Sequence, residues 1–282
     1  VGIVAATGVN IVRTITSTFR ETEKRRGMIK SLDQLHTQHR FEEVPRRIVS
    51  LVPSISELLC DLGLEDRIVG CTKFCVHPSH LRSRQNNVGG TKNPRLEKIR
   101  SLKPDIILAN KEENRLEDVE VLREVAPVWV SDVPDIPAGE ALIRQLAALF
   151  KVVEMGSDII QKNRVGLAKQ SIGQGKSALY LIWRDPFMGA GRDTFIHSVM
   201  ERVGFRNLLG DKNRYPVLEK SEIERLRPEA ILLSSEPYPF GQSHQEDLKK
   251  LFPFAEVRLV NGEFFSWYGS RIGRLKSIWS DG

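Results

Sequence analysis

A helix-and-strand module occurs twice in this 282-residue chain, and no other feature of the sequence limits the fold as tightly. The first copy, LEKIRSLKPDIILAN, covers residues 96–110, and the second, KSEIERLRPEAILLS, covers 220–234. At a constant offset of 124, Ile99 meets Ile223, Leu102 meets Leu226, Pro104 meets Pro228, Asp105 meets Glu229, and Ile107-Leu108 meet Ile231-Leu232. Each copy reads as a short amphipathic helix stopped by proline and followed by a buried strand. Two copies so far apart predict two similar α/β lobes rather than a repeat array.

The stretch RIVSLVPSISELLCDLGLEDRIVG, residues 47–70, predicts a strand, a helix and a second strand. Ser54 is expected to cap the helix in a capping box with Glu57, with Ile55, Leu58, Leu59 and Leu62 on the apolar face and Gly63 as left-handed C-cap. Open parallel sheets bind ligands where strand ends meet helix starts, so Pro53 and Ser54 are expected at a ligand crevice. Between the two copies, residues 139–171 are helical by period, and Gly156 and Gly166 leave open one long helix or two. The expected organisation is an N-terminal extension, partly disordered, over 1–45, a lobe over 46–133, a connecting helix within 134–176 and a second lobe over 177–282.

The formal charge of +6 is spread thinly. Residues 1–27 contribute +3 of it and the remaining 255 the other +3, so no basic stripe exists and nucleic-acid binding is not expected. No apolar run approaches the roughly 18 residues of a membrane span. Cys60, Cys71 and Cys75 have no disulfide-framework spacing and fit a reducing compartment. The opening VGIVAATGVNIV lacks a basic n-region, and no cysteine follows it to take a lipid. A cytoplasmic location is therefore expected for the chain as written, and a periplasmic one if the chain begins elsewhere than the segment before Met28 implies.

Candidate site residues cluster after predicted strands. The loop CTKFCVHPSH, residues 71–80, carries Phe74 and His77; His77 either ligates a metal or closes a turn with Pro78. Cys71, Cys75, His77 and His80 lack the two separated pairs of a structural zinc site. Glu112 follows the first repeat strand, and Glu236 and Tyr238 follow the second. Trp183 and Phe187 end the strand that opens the second lobe, and Trp267, Tyr268 and Arg271 lie near the close of the chain. Aromatic rings beside charges suit a large flat ligand, because rings give contact area with little rotamer entropy to lose. Gly189-x-Gly191 lacks the third glycine of a dinucleotide loop. The chain has no G-x-S-x-G elbow, phosphate loop or H-E-x-x-H, so non-covalent binding without a covalent cofactor is expected, with a cytosolic metal- or cofactor-handling protein or enzyme as the alternative.

Across about residues 44–272 the chain resembles the periplasmic solute-binding proteins that have one backbone helix between two α/β lobes. RRIVSLVPSISELLCDLGL is similar to the opening motif of that family, LEKIRSLKPDIIL to its first-lobe module and SEIERLRPEAILL to its second. YLIWRDPFMGAGRDTFI resembles the start of the second lobe in cobalamin binders, and WYGSRI resembles the end of their pocket. The resemblance implies an α/β fold of two Rossmann-like lobes joined by a long backbone helix, with the ligand crevice between them. It also implies a monomer that passes a small molecule to an ABC permease, a corrinoid first and a ferric siderophore or haem next. Phe74 stands where cobalamin binders have an aromatic ligand contact. Family members expose one acid at each lobe tip toward the permease, and Glu97, seven residues before Pro104, matches the first. The residue seven before Pro228 is Ser221; Glu222 follows it, about 100° further round a helix. Glu97 and Glu222 are thus the docking candidates, and symmetric docking is not expected.

Overall fold

The computed structural model describes residues 28–81, 86–168 and 172–274. The expectations about the segment before Met28 lie outside the described residues. The described residues open with an antiparallel hairpin, β1 (Ile29–Leu32) and β2 (Gln38–Phe41), in a stretch to which the sequence assigned no element. Asp33 builds it. One carboxylate oxygen accepts from the N–H groups of Leu35 and Thr37 at 3.0 and 2.7 Å, and the other meets His39 Nε2 at 3.1 Å.

The first parallel sheet follows. It contains β3 (Ile48–Ser50), helix α1 (Pro53–Asp61), β4 (Ile68–Cys71), β5 (Asn86–Asn87), α2 (Leu96–Ser101), β6 (Ile106–Asn110), α3 (Leu116–Arg123) and β7 (Val128–Ser131), with strand order β5-β4-β3-β6-β7. Helix α1 corrects one expectation. Its N-cap is Val52, with no side-chain cap, because Pro53 takes the first helical position, where its missing N–H costs nothing. Ser54 therefore sits inside the first turn, and Glu57 is buried on the helix and not in a capping box. Gly63 does adopt the left-handed conformation expected, with φ of 71°.

The helical region between the copies is two helices, α4 (Ile136–Leu149) and α5 (Val153–Ala168). They part at Lys151, which has φ of 58°, and Val152 N–H bonds back to Ala147 C=O at 2.8 Å. Asp135 caps α4 by accepting from Ala138 N–H at 2.7 Å. Gly156, which looked like a weak point, is a packing device: a Cβ there would lie 2.5 Å from Ala147 Cβ, so the glycine lets the two helices pack closely. Helix α5 is the backbone helix. It starts beside Gly63 under the first sheet and spans about 24 Å toward the second.

The second sheet contains β8 (Ser177–Trp183), β9 (Phe187–Gly189), α6 (Phe195–Arg202), β10 (Arg206–Asn207), β11 (Val217–Leu218), α7 (Lys220–Leu226), β12 (Ala230–Ser234), α8 (Gln242–Leu251), β13 (Glu256–Val260) and α9 (Gly262–Ser266), closed by a 3-10 turn at Arg271–Arg274. Its order is β11-β9-β8-β12-β13, with β10 also pairing β8. Strands β6 and β12 are the repeat strands at the offset of 124, and each lies beside the first strand of its own sheet. Alternate residues divide between layers as a pleated strand requires. Ala230 and Leu232 join a core that runs continuously from Ile48 and Leu58 through Leu142 to Tyr268, while Ile231 and Leu233 face a separate outer cluster.

The repeat has a physical reason. The Asp105 carboxylate accepts from the N–H groups of Arg46 and Arg47 at 2.8 and 2.9 Å, just before β3. Glu229 accepts from the N–H and hydroxyl of Ser177, both at 2.8 Å, at the start of β8. In each half, the acid after the proline ties the repeat strand to the first strand. The residue before each proline is left-handed in both copies, Lys103 with φ of 46° and Arg227 with φ of 48°.

Candidate functional site

The carboxyl ends of both sheets converge on one crevice, and charged pairs from the two halves cross it. Arg271 reaches back to α1, where its guanidinium grips Glu57 with two bonds of 2.9 and 2.7 Å. It also pairs with Glu263 at 2.9 Å and lies 4.9 Å from the centre of the Trp267 ring. Glu263 in turn meets His77 Nε2 at 3.0 Å, and the imidazole sits edge-on to Trp267 at 5.5 Å. On the other side Arg214 pairs with Glu112, whose second oxygen accepts from the Tyr215 hydroxyl at 3.3 Å. Apart from the local contacts of Arg271 with Glu263 and Trp267, these contacts join residues more than a hundred positions apart, which sequence periodicity cannot reveal.

Deeper in lie two carboxyls. Glu113 projects from the turn after β6, a turn held by Asn110, whose side-chain oxygen accepts from Glu112 and Glu113 N–H at 2.8 and 3.1 Å. Burial above all, and then the field of Glu236, push the Glu113 carboxyl up to about 7, while a 3.4 Å bond from the Tyr268 hydroxyl pulls the other way. Glu236, after β12, accepts from Ser266 Oγ at 2.6 Å and Trp267 Nε1 at 3.0 Å, and burial raises its carboxyl too. Burial likewise drives the Tyr268 phenol upward, with the Glu113 field adding to it.

The remaining candidates sort by position. Pro53 and Ser54 are buried at the start of α1, beneath Gly269. Phe74 and Trp183 stand at the rims, 48% and 40% exposed, and Trp183 packs edge-on to Tyr238 at 5.4 Å. Phe187 instead packs on Phe252 in the outer core of the second half, and Phe240 is buried there. In the 71–80 loop, Cys75 Sγ lies 3.0 Å from Ser56 Oγ, and a bond from the Cys71 thiol holds its own thiol down at about 7. His80 turns away to Glu65 at 2.9 Å, and no group of three metal-ligating side chains forms among the described residues. A cavity of about 320 Å³ lined by Glu43, Arg46, Arg67, Phe150 and Lys151 opens at the opposite, amino-terminal end of the first sheet, away from these side chains. Glu97 is 83% exposed and pairs with Arg100 at 3.1 Å, whereas Glu222 is 19% exposed and paired with Lys212.

The family model for periplasmic binding proteins matches residues 48–252. The chain belongs to the periplasmic binding protein family. A member from Bacillus subtilis, the uncharacterized ABC transporter substrate-binding lipoprotein YvrC, is 28% identical over 208 residues, covering 68% of this chain and 64% of that lipoprotein. The vitamin B12-binding protein of Pectobacterium carotovorum is 23% identical over 238 residues, 81% of this chain and 85% of its own. A periplasmic heme binding protein from Pseudomonas aeruginosa shares the fold with a TM-score of 0.71 at 22% identity, over 81% of this chain and 89% of that one. These periplasmic binding proteins bind solutes and are not enzymes, and no described helix here is long and apolar enough to cross a membrane.

From the sequence, Glu57 has only a capping role, and Glu113, Glu263, Arg214 and Tyr215 have none. Glu57 carried a usable signal, an acid inside a helix whose neighbours from Pro53 to Leu59 are all buried. Such a position needs a cation from elsewhere.

Proposed function

We propose that this chain is the substrate-binding component of an ABC importer and captures a metal-bearing small molecule in the crevice, a corrinoid first and a ferric siderophore or haem next. The observation that carries the reading is the aromatic and charged crevice where both sheets end, with Trp183, Tyr238 and Trp267 on one side and Phe74 and His77 on the other. A family relative that binds vitamin B12 and matches over most of both chains supports putting the corrinoid first. Residues 46–133 and 177–282 serve as the two lobes, and 134–176 as the connection. The lipoprotein relative supports a site of action outside the cytoplasmic membrane over the cytoplasmic placement expected from the sequence.

Docking on a permease is one-sided on this reading, because Glu97 is 83% exposed beside an exposed Arg100, whereas Glu222 is largely covered and held by Lys212. A second simultaneous contact would raise avidity without new affinity at either point. The test is titration of the purified chain with cyanocobalamin, hemin and a ferric siderophore, followed by absorbance and calorimetry. Micromolar or tighter binding of one of them is expected, and binding of none while a metabolite is turned over rules the reading out.

A further inference from the structure

The ion pairs that join the two halves across the crevice differ in how hard they are to part. Arg271 and Glu57 are sealed, with side chains 10% and 2% exposed, and parting them would strand a buried charge. Arg214 and Glu112 stand largely in water, 52% and 28% exposed, and such a pair separates at little cost. Motion that widens the crevice therefore gives way at Arg214 and Glu112 before it disturbs Arg271 and Glu57.

Both partners of the wet pair sit on braced loops. Residues 212–214 are pinned to 191–193: Gly191 N–H donates to Arg214 C=O at 2.7 Å, Arg192 N–H to Lys212 C=O at 2.8 Å, Arg192 Nε to Asn213 Oδ1 at 2.8 Å, and Arg214 N–H to the Asp193 carboxylate. Gly189-x-Gly191, which lacks the third glycine of a dinucleotide loop, has its use here, because a Cβ at Gly191 would run into the carbonyls of Lys212 and Arg214. Arg214 holds a φ of 60°, a left-handed conformation that a residue with a side chain keeps only where its surroundings fix it. On the facing turn Asn110 holds the N–H groups of Glu112 and Glu113, and Lys92 Nζ donates to the Glu112 carbonyl. The Tyr215 hydroxyl adds a second bond to the same carboxylate at 3.3 Å, and burial, with the Glu112 field behind it, drives that phenol upward so that it stays a donor.

We propose that the Arg214–Glu112 pair is a latch on the crevice, which parts as a ligand enters or leaves and closes again behind it, and so sets the rate of exchange. The inference deepens the binding function proposed above and rests on it for its consequence. Because both loops are braced, the pair parts when the halves separate or the two side chains swing aside, and either event unblocks the same gap. Salt screens an exposed pair, so high ionic strength should loosen the latch in the wild type.

The test exploits a difference of sign. Arg214→Gln and Glu112→Gln break the same pair but change the charge of the crevice in opposite directions. Stopped-flow fluorescence follows the association of cyanocobalamin and of hemin with wild type and each variant, both checked as folded by their melting curves. A latch makes both variants faster with each probe, by about twofold to fivefold, and 0.5 M salt should bring the wild type toward them. Opposite changes in the two variants would mean that the side chains only attract or repel the probe, and they overturn the inference, as do two variants at the wild-type rate. Hydrogen exchange reads the latch with no probe present. Arg214→Gln should speed exchange of the Glu112 and Glu113 N–H groups across the crevice, and Glu112→Gln that of Arg214 N–H. Loosening confined to the substituted loop overturns the latch. If neither probe binds, the binding function fails, and hydrogen exchange still decides whether the latch stands.

Discussion

The amino-terminal ends of the two sheets are built alike, and their carboxyl ends differ. At the first end Asp105 and Glu229 each tie a repeat strand to its neighbour, and Lys103 and Arg227 turn the chain with nearly the same φ. At the other, Asn110 organises a turn that carries Glu112 and Glu113, while its counterpart Ser234 donates to the Glu236 carbonyl at 2.6 Å and accepts from Tyr180 at 3.0 Å. The difference teaches that the repeat closes the amino-terminal end of each sheet with one shared device, while each carboxyl end uses its own, Asn110 to Ser131 in the first sheet and Tyr180 to Ser234 in the second.

The crossing pair Arg271–Glu57 has no counterpart in the repeat, so breaking it separates the two ends most sharply. Both partners are nearly sealed from water, with side chains 10% and 2% exposed. Arg271→Met should cost about 3–5 kcal/mol in urea unfolding, because Glu57 is left charged and buried with only Arg274 beside it. Adding Glu57→Leu should recover most of that loss. A single-variant cost under about 1 kcal/mol would show that solvent reaches the pair freely.

Glu113 gives the next effect, and its sign can be worked out. Its carboxyl moves from the ordinary 4.5 to about 7 on folding, so the folded chain holds a proton that the unfolded chain gives up. Stability should be intact below pH 4.5, fall as pH rises toward 7 and stay reduced above it. The loss is worth about 3 kcal/mol at most, by the usual 1.4 kcal/mol per pH unit. Glu113→Gln should remove this slope, so melting temperatures of the variant at pH 5 and pH 8 should differ less than those of the wild type. Equal slopes would mean that the crevice is wet enough to leave Glu113 unperturbed.

At the repeated end, Asp105→Ala and Glu229→Ala should both lower the melting temperature, and by similar amounts. Glu229 also sets a pH window. Bonds from the Ser177 N–H and hydroxyl lower its carboxyl below the ordinary 4.5, so its contribution is present above that pH and fades as the pH falls below it. The gap between wild type and Glu229→Ala should therefore shrink at pH 3. A clear difference between the two variants at neutral pH would mean that the two ends only look alike.

How much of this was legible follows from what periodicity encodes. Proline after a short amphipathic helix, then an apolar strand, located β6 and β12 and so the two sheets. The capping box at Ser54 and Glu57 misled, because the motif fits spacing alone and Pro53 had already started the helix. Strand ends pointed to Glu112 and Glu236, and the structure sets Glu112 against Arg214 and Glu236 against Trp267. Crossing partners remained hidden, because Arg214, Glu57 and Glu263 arrive from distant chain. Phe187 shows the reverse failure: an aromatic at a strand end looks the same in sequence whether it faces a crevice or, as here, packs on Phe252.

The smallest effect tests the likeness at its finest grain. Lys103 and Arg227 hold left-handed backbone at equivalent positions, where a residue with a Cβ is strained by roughly 1 kcal/mol and glycine is not. Glycine also loosens the unfolded chain, so the net gain at either site is at most about 0.5 kcal/mol. The side chains then divide the two. Arg227 lies 5.4 Å over the Phe254 ring, a contact worth about 0.5 kcal/mol at an exposed site, whereas the bonds of Lys103 are from its backbone, its carbonyl accepting from Arg47 at 3.0 Å and its N–H donating to Arg100 C=O at 3.1 Å. Lys103→Gly should raise the unfolding midpoint slightly and Arg227→Gly should leave it where it is. Removing Phe254 by Phe254→Leu should bring the two glycine substitutions to the same gain, and a gap that survives it would place the difference in the backbone.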